Sequence, residues 1–153
     1  MGNPGLLKKL SREKLPIDVW VSLHAIDDEK RKKIMPIANK YSITEVIESA
    51  EYYYKKTGRF IWINYMLFLN FNNTDDDAKN IAKVLKGKED VFKFIITEPN
   101  NNVDNFQKAG YDDLLDFEKK LIKYGVKNDI VRFVTAGKDV GAGCGEFMFI
   151  SKR

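Results

Sequence analysis

Cysteine and histidine are almost missing from this chain, which carries one of each, Cys144 and His24, in 153 residues. A lone cysteine cannot close an internal disulfide, which fits a reducing, intracellular compartment. A structural zinc draws its four ligands mainly from Cys and His, so none is expected. An iron–sulfur cluster needs several thiolates, which this chain alone cannot supply. Long apolar runs are absent too: no stretch approaches the ~20 residues that span a bilayer. The opening Met1-Gly2-Asn3-Pro4-Gly5 lacks the apolar core of a secretion signal. The expectation is a cytoplasmic protein with no membrane partner.

What is present is globular. Hydrophobic residues make up 44% and charged residues 31%, and no linker, repeat or low-complexity tract divides the chain. One domain over 1–153 is expected, large enough to bury a core. The net charge of +4 permits a nucleic-acid partner without requiring one. Runs such as Asp27-Asp28-Glu29-Lys30-Arg31-Lys32-Lys33 mix both signs, as a solvated helix face does.

Four apolar, β-branched runs have strand length: Ile17 to Leu23, Phe60 to Phe68, Val91 to Ile96, and Ile130 to Val134. The second and third are nearly continuous in apolar character, as expected of strands covered on both faces. Helical patterns lie between them. Ser42 and Glu45 make a capping box before the stripe Ile43, Val46, Ile47, Ala50, Tyr53, with Gly58 as the stop. Thr74 and Asp77 open a second helix that ends at Gly87. A third runs from Asp112 to Tyr124, and short helices are expected at Leu6 to Glu13 and within Asp27 to Lys40. Strand–helix alternation with short connections argues an α/β fold with a mostly parallel sheet of about four strands. Four strands are too few for a closed eight-stranded barrel, so the reading is an open sheet or a partial, half β/α barrel.

In parallel α/β folds ligands collect at the carboxyl ends of the strands. Those ends carry Ser22, Leu23 and His24; Asn70 and Asn72; Thr97 and Glu98; and Thr135 with the glycine run that follows. His24 is either a satisfied structural histidine or a ligand contact. Glu98 precedes Pro99, which biases its backbone toward extended geometry. Its carboxylate points into the mouth or lies on the surface. Cys144 sits in Gly141-Ala142-Gly143-Cys144-Gly145, where little side-chain bulk guards the sulfur. It is an accessible thiol or a small buried hydrophobe. Paired with His24 as its base, it would be a thiolate nucleophile.

Two segments are specific enough to carry a resemblance. Ser22-Leu23-His24-Ala25, with Asp28-Glu29-Lys30-Arg31 and Ile34-Met35-Pro36-Ile37, is one; Gly137-Lys138-Asp139-Val140-Gly141-Ala142-Gly143-Cys144-Gly145-Glu146 is the other. Tyr65-Met66-Leu67 before Asn72-Asn73-Thr74, and Ile95-Ile96-Thr97-Glu98-Pro99, fall between them in matching order. Together they resemble the C-terminal half of the radical SAM rRNA adenine methyltransferases of the RlmN/Cfr type, from about Leu15 to Phe147. The resemblance implies S-adenosylmethionine and a 4Fe-4S cluster as the family's cofactors. It implies that Ser22, Leu23 and His24 contact S-adenosylmethionine. It implies that Cys144 is the cysteine that carries the methyl carbon to C2 or C8 of a ribosomal adenine. Glu98 falls where the family has a cofactor-binding asparagine, and a carboxylate there loses the amide donor.

The family's CxxxCxxC cluster motif, glycine-rich cofactor loop and second catalytic cysteine are not in this sequence. The expectation is a fragment, or the product of a split gene, of such an enzyme, inactive alone. RNA, the missing N-terminal half or a second copy are its expected partners. A non-catalytic half-barrel that binds RNA or a protein partner is the alternative, and an independent Cys/His enzyme a third. Sequencing upstream of the Met1 codon separates these. The fragment reading expects CxxxCxxC there, in frame or one frameshift away, and unrelated sequence counts against it.

Overall fold

The computed structural model describes residues 3–13, 15–99 and 106–133. Residues 100–105 and the glycine run with Cys144 lie outside the described residues. Helix α1 spans Pro4–Leu10 and strand β1 Val19–Ser22. Helix α2, Asp28–Ile34, runs into a 3-10 turn at Pro36–Asn39, and α3 covers Ile43–Thr57. Then come β2 (Ile61–Met66), β3 (Phe68–Leu69), α4 (Asp75–Leu85) and β4 (Phe92–Thr97). Strand β5 (Gln107–Lys108), α5 (Tyr111–Lys123) and β6 (Ile130–Phe133) complete the described chain.

The four strands anticipated from composition form one sheet in the order β1-β2-β4-β6, every pair parallel. Helices α3 and α4 start where the sequence places them, while α1 starts at Pro4, capped by Asn3, and not at Leu6. The Glu45 amide donates to Ser42 Oγ and the Ser42 amide donates back to the Glu45 carboxylate, so two orphan donors of α3 are met at once. Gly58 ends α3 at φ 69°, a left-handed conformation that a side chain disfavours. Thr74 and Asp77 cap α4 in the same reciprocal way. The buried Asp77 carboxylate also accepts from Lys30 Nζ at 2.6 Å, which ties α2 to α4.

Period-two alternation divides the sheet into two faces. Val19, Val21, Ile61, Ile63, Tyr65, Phe92, Phe94 and Ile96 face the helices and enter one core with Val46, Ala50, Tyr53, Ile81, Leu85 and Phe117. The Tyr65 ring stacks on Phe117 with centroids 5.6 Å apart. Burying each such side chain contributes about 1.5–3 kcal/mol. The opposite face takes no part in that core. Its residues stand in rows across the strands: Trp20, Trp62 and Lys93; Ser22, Asn64, Ile95 and Val131; then Met66, Thr97 and Phe133. Trp20, Val131 and Phe133 are 44%, 41% and 48% exposed.

Three local details differ from the sequence reading. Strand two does not run on to Phe68: the chain turns at Leu67, and β3 pairs antiparallel with β5, a two-residue strand with no periodicity to betray it. The Met35-Pro36-Ile37 turn is the start of a 3-10 helix. The expectation of strands covered on both faces splits: in β2 Trp62, Asn64 and Met66 are only half-buried on the face away from the helices, while in β4 Ile95 and Thr97 on that face are buried.

That open face generates a prediction. Light scattering on the 153-residue chain should show self-association that grows with concentration. Both tryptophans of the chain lie on this face, so their emission should shift to the blue in step. Trp20→Ser should reduce the association. A clean monomer at high concentration would contradict this reading.

Candidate functional site

Because every strand of the main sheet runs the same way, the carboxyl ends of β1 and β2 lie side by side. Leu23 prolongs β1 by one bond, its amide donating to the Asn64 carbonyl at 3.0 Å, and its side chain is buried in the helix-side core. At His24 the chain swings away with φ 56°, one of only two non-glycine residues with positive φ among the described residues. Asp27 then caps α2 by accepting from the Lys30 amide. Helix α2 and the 3-10 turn carry residues 34–37 back over the strand ends. The result is a cavity of about 380 Å3, walled by residues 34–37, Met66 and Phe68, with Ser22 and His24 as its polar members.

His24 is held by both its ring and its backbone. The Met66 amide donates to Nδ1 at 3.0 Å, and the His24 carbonyl accepts from Asn72 Nδ2 at 2.6 Å. An N–H donor facing Nδ1 requires that nitrogen to be unprotonated, so the neutral ring carries its proton on Nε2. Burial lowers the His24 pKa to about 4, with the nearby Arg31 guanidinium as the second cause. Arg31 is itself fully buried; its Nη1 donates to the Tyr41 carbonyl, while Nε and Nη2 have no partner. The site therefore offers a donor at neutral pH and neither a cation nor an effective base, which disfavours His24 as the base for a thiol. One row deeper, Thr97 Oγ1 donates to Asn64 Oδ1 at 2.9 Å across β2 and β4.

Of the residues singled out from sequence, Ser22 and His24 meet in the cavity and Leu23 faces the other way. Glu98 is buried at the end of β4, its amide donating to the Phe133 carbonyl at 3.4 Å, and is not among the described residues that line the cavity. Cys144 lies outside the described residues. The walls Met35, Ile37, Met66 and Phe68 were given no role from sequence. Strand alternation foretells which way Leu23 points, but no pattern announces that a turn 11 residues beyond it covers Ser22.

Among the described residues, a parallel sheet packed against helices on one face, with a cavity at its strand carboxyl ends, has the form of part of an α/β barrel. No family model matches the chain. Among solved structures, a radical SAM methyltransferase from Sphaerobacter thermophilus matches with a TM-score of 0.85 and 27% identity, over 95% of this chain and 42% of that one. In sequence, the chain is 38% identical over 142 residues to the probable dual-specificity RNA methyltransferase RlmN of Clostridium perfringens, covering 92% of this chain and 40% of the relative. The protein of the same name from Pseudothermotoga lettingae is 38% identical over 146 residues, 95% of this chain and 41% of the relative. The chain is thus related in sequence and fold to the RlmN-type radical SAM RNA methyltransferases, and it spans about 40% of the length of the relatives it matches.

The protonation state of His24 is testable. Folding lowers its pKa from 6.5 to about 4, so between those values the unfolded chain binds more protons. Stability is then unaffected above pH 6.5, falls as the pH drops toward 4, and levels off below. The full loss is about 3 kcal/mol at 1.36 kcal/mol per unit. Urea unfolding of the wild type and of His24→Gln across this window should show the difference between them change by that amount. A constant difference would mean that the ring titrates normally.

Proposed function

We propose that this chain supplies the S-adenosylmethionine-binding strand ends of an RNA adenine methyltransferase of the radical SAM type. The observation that carries the reading is the cavity: Ser22 and His24, the cofactor-contacting residues that the resemblance implies, line one pocket, while the chain's sequence and fold match those methyltransferases. Its volume suits the nucleoside part of the cofactor, small-molecule pockets being about 300–1,000 Å3. Apolar walls at Met35, Ile37, Met66 and Phe68 accept a flat adenine ring and exclude water from it. The His24 Nε2–H donates to an acceptor on the ligand, and Ser22 Oγ is free to donate or accept. When bound, the cofactor supplies the carbon that is transferred and the radical chemistry of the class.

The cluster is a different matter. One cysteine in this sequence cannot provide the several thiolates a 4Fe-4S cluster requires, so its residues alone do not hold one. Cys144 is the methyl-carrying thiol in this reading. Glu98, buried and without an amide donor, contributes less to the cofactor than the asparagine it replaces. RNA is the substrate polymer, the compartment is the cytoplasm, and the barrel is completed by a polypeptide that brings the cluster motif or, failing that, by a second copy.

Equilibrium dialysis with S-adenosylhomocysteine tests the cavity without needing turnover. The wild-type chain should bind saturably. His24→Leu should weaken binding about tenfold, the cost of one lost hydrogen bond to the ligand. Lys79→Ala, at an exposed position of α4, should not. Absence of saturable binding to the wild type at millimolar ligand would remove the cofactor reading.

A further inference from the structure

Asn72 is the one asparagine among the described residues with no exposed surface at all. It belongs to no strand or helix, yet every polar atom of its side chain is engaged. Nδ2 donates to the His24 carbonyl at 2.6 Å and to the Met66 carbonyl at 2.8 Å; Oδ1 accepts from the Phe68 amide at 2.7 Å. Its own carbonyl accepts from the Tyr65 hydroxyl at 2.8 Å. Burial, then the Asp77 charge, raise the Tyr65 pKa well above its ordinary value, so this phenol stays a donor. Three of the residues Asn72 grips, His24, Met66 and Phe68, are cavity residues. One of them, His24, sits in a left-handed backbone conformation that a side chain adopts only when its surroundings hold it there.

We propose that Asn72 is the positioning residue of this cavity: its carboxamide clamps the end of β1 to the end of β2, and so fixes the His24 ring as an Nε2–H donor facing the ligand. The clamp acts through geometry. Bridging the His24 and Met66 carbonyls sets the distance between the two strand ends. At that distance the Met66 amide meets Nδ1, and that contact selects the tautomer. An aspartate of the same shape loses both donors, and a serine cannot span the two carbonyls. The ligand group opposite His24 is consequently an acceptor, such as a ring nitrogen or a hydroxyl or carboxylate oxygen. This inference rests on the cofactor reading for the ligand's identity only.

The test is nitrogen-15 NMR of the His24 ring, with pH titration, in the full chain. Asn72→Ser is neutral and adds no charge beside the imidazole. Tyr65→Phe leaves Asn72 in place but frees its carbonyl, and tolerates folding better. Leu7→Ala, a core position on α1 with no contact to the clamp residues, is the control that destabilises the core elsewhere. The wild type should show the pure Nε2–H tautomer. In Asn72→Ser the two tautomers should mix, the titration midpoint rise by about one pH unit, and S-adenosylhomocysteine bind about tenfold more weakly. Tyr65→Phe should move the same signals less far, and Leu7→Ala should lower stability with the ring unmoved. An unchanged tautomer and midpoint in Asn72→Ser and Tyr65→Phe would overturn the proposal. If Asn72→Ser does not fold, Tyr65→Phe decides alone. A wild-type chain that ignores the ligand but shows the ring shifts would sink the cofactor reading and leave the clamp standing.

Discussion

The parallel hydrogen-bond ladder β1-β2-β4-β6 is the constraint on which the rest of this molecule depends. A parallel pair cannot be joined by a tight turn, so each crossover must carry a helix across the sheet. Because the strand order advances one way across the sheet, right-handed crossovers put those helices on the same face. The core then forms between that face and α3, α4 and α5, where Tyr53, Tyr65, Phe94 and Phe117 are buried. The same ladder brings all carboxyl strand ends to one rim. The cavity is there because the topology leaves that rim to loops, whose side chains are free of packing duties.

The two sides of the sheet have different chemistry for the same reason. Residues turned to the helices are large and apolar. The open face instead carries a floor of Trp20, Trp62 and Phe60, with Lys93 Nζ 4.4 Å from the Phe60 ring centroid, and polar groups above it. Ser22, Asn64 and Thr97 make up that polar tier.

Much of this was legible in the chain before any fold was known. Serine and threonine three residues before an acid, with glycine past the last apolar position, marked α3 and α4 within a residue or two. These caps act locally, so local sequence suffices to find them. The Ser22-Leu23-His24 segment was legible because strand alternation and strand-end placement are also local rules. Glu98 was not. Whether a carboxylate at a strand end enters the mouth or is buried depends on what packs over β4. The β3–β5 pair escaped for a different reason: two strands of two residues each are too short for a period.

The sequence by itself determined the α/β alternation, the four strands, the helix ends, the scarcity of metal ligands and the kinship with RNA methyltransferases, all of which depend on residues near one another in the chain. Tertiary structure alone decided that residues 34–37, Met66 and Phe68 wall the same cavity as Ser22. It alone decided that the lone histidine is a neutral donor and that the Asn72 carboxamide, from within its turn, bridges the His24 and Met66 carbonyls. Those outcomes rest on hydrogen bonds between positions 24, 66 and 72 and on the desolvation their burial brings. Contacts across 48 positions leave no periodic trace, because they exist only once the parallel sheet has set the two strand ends side by side.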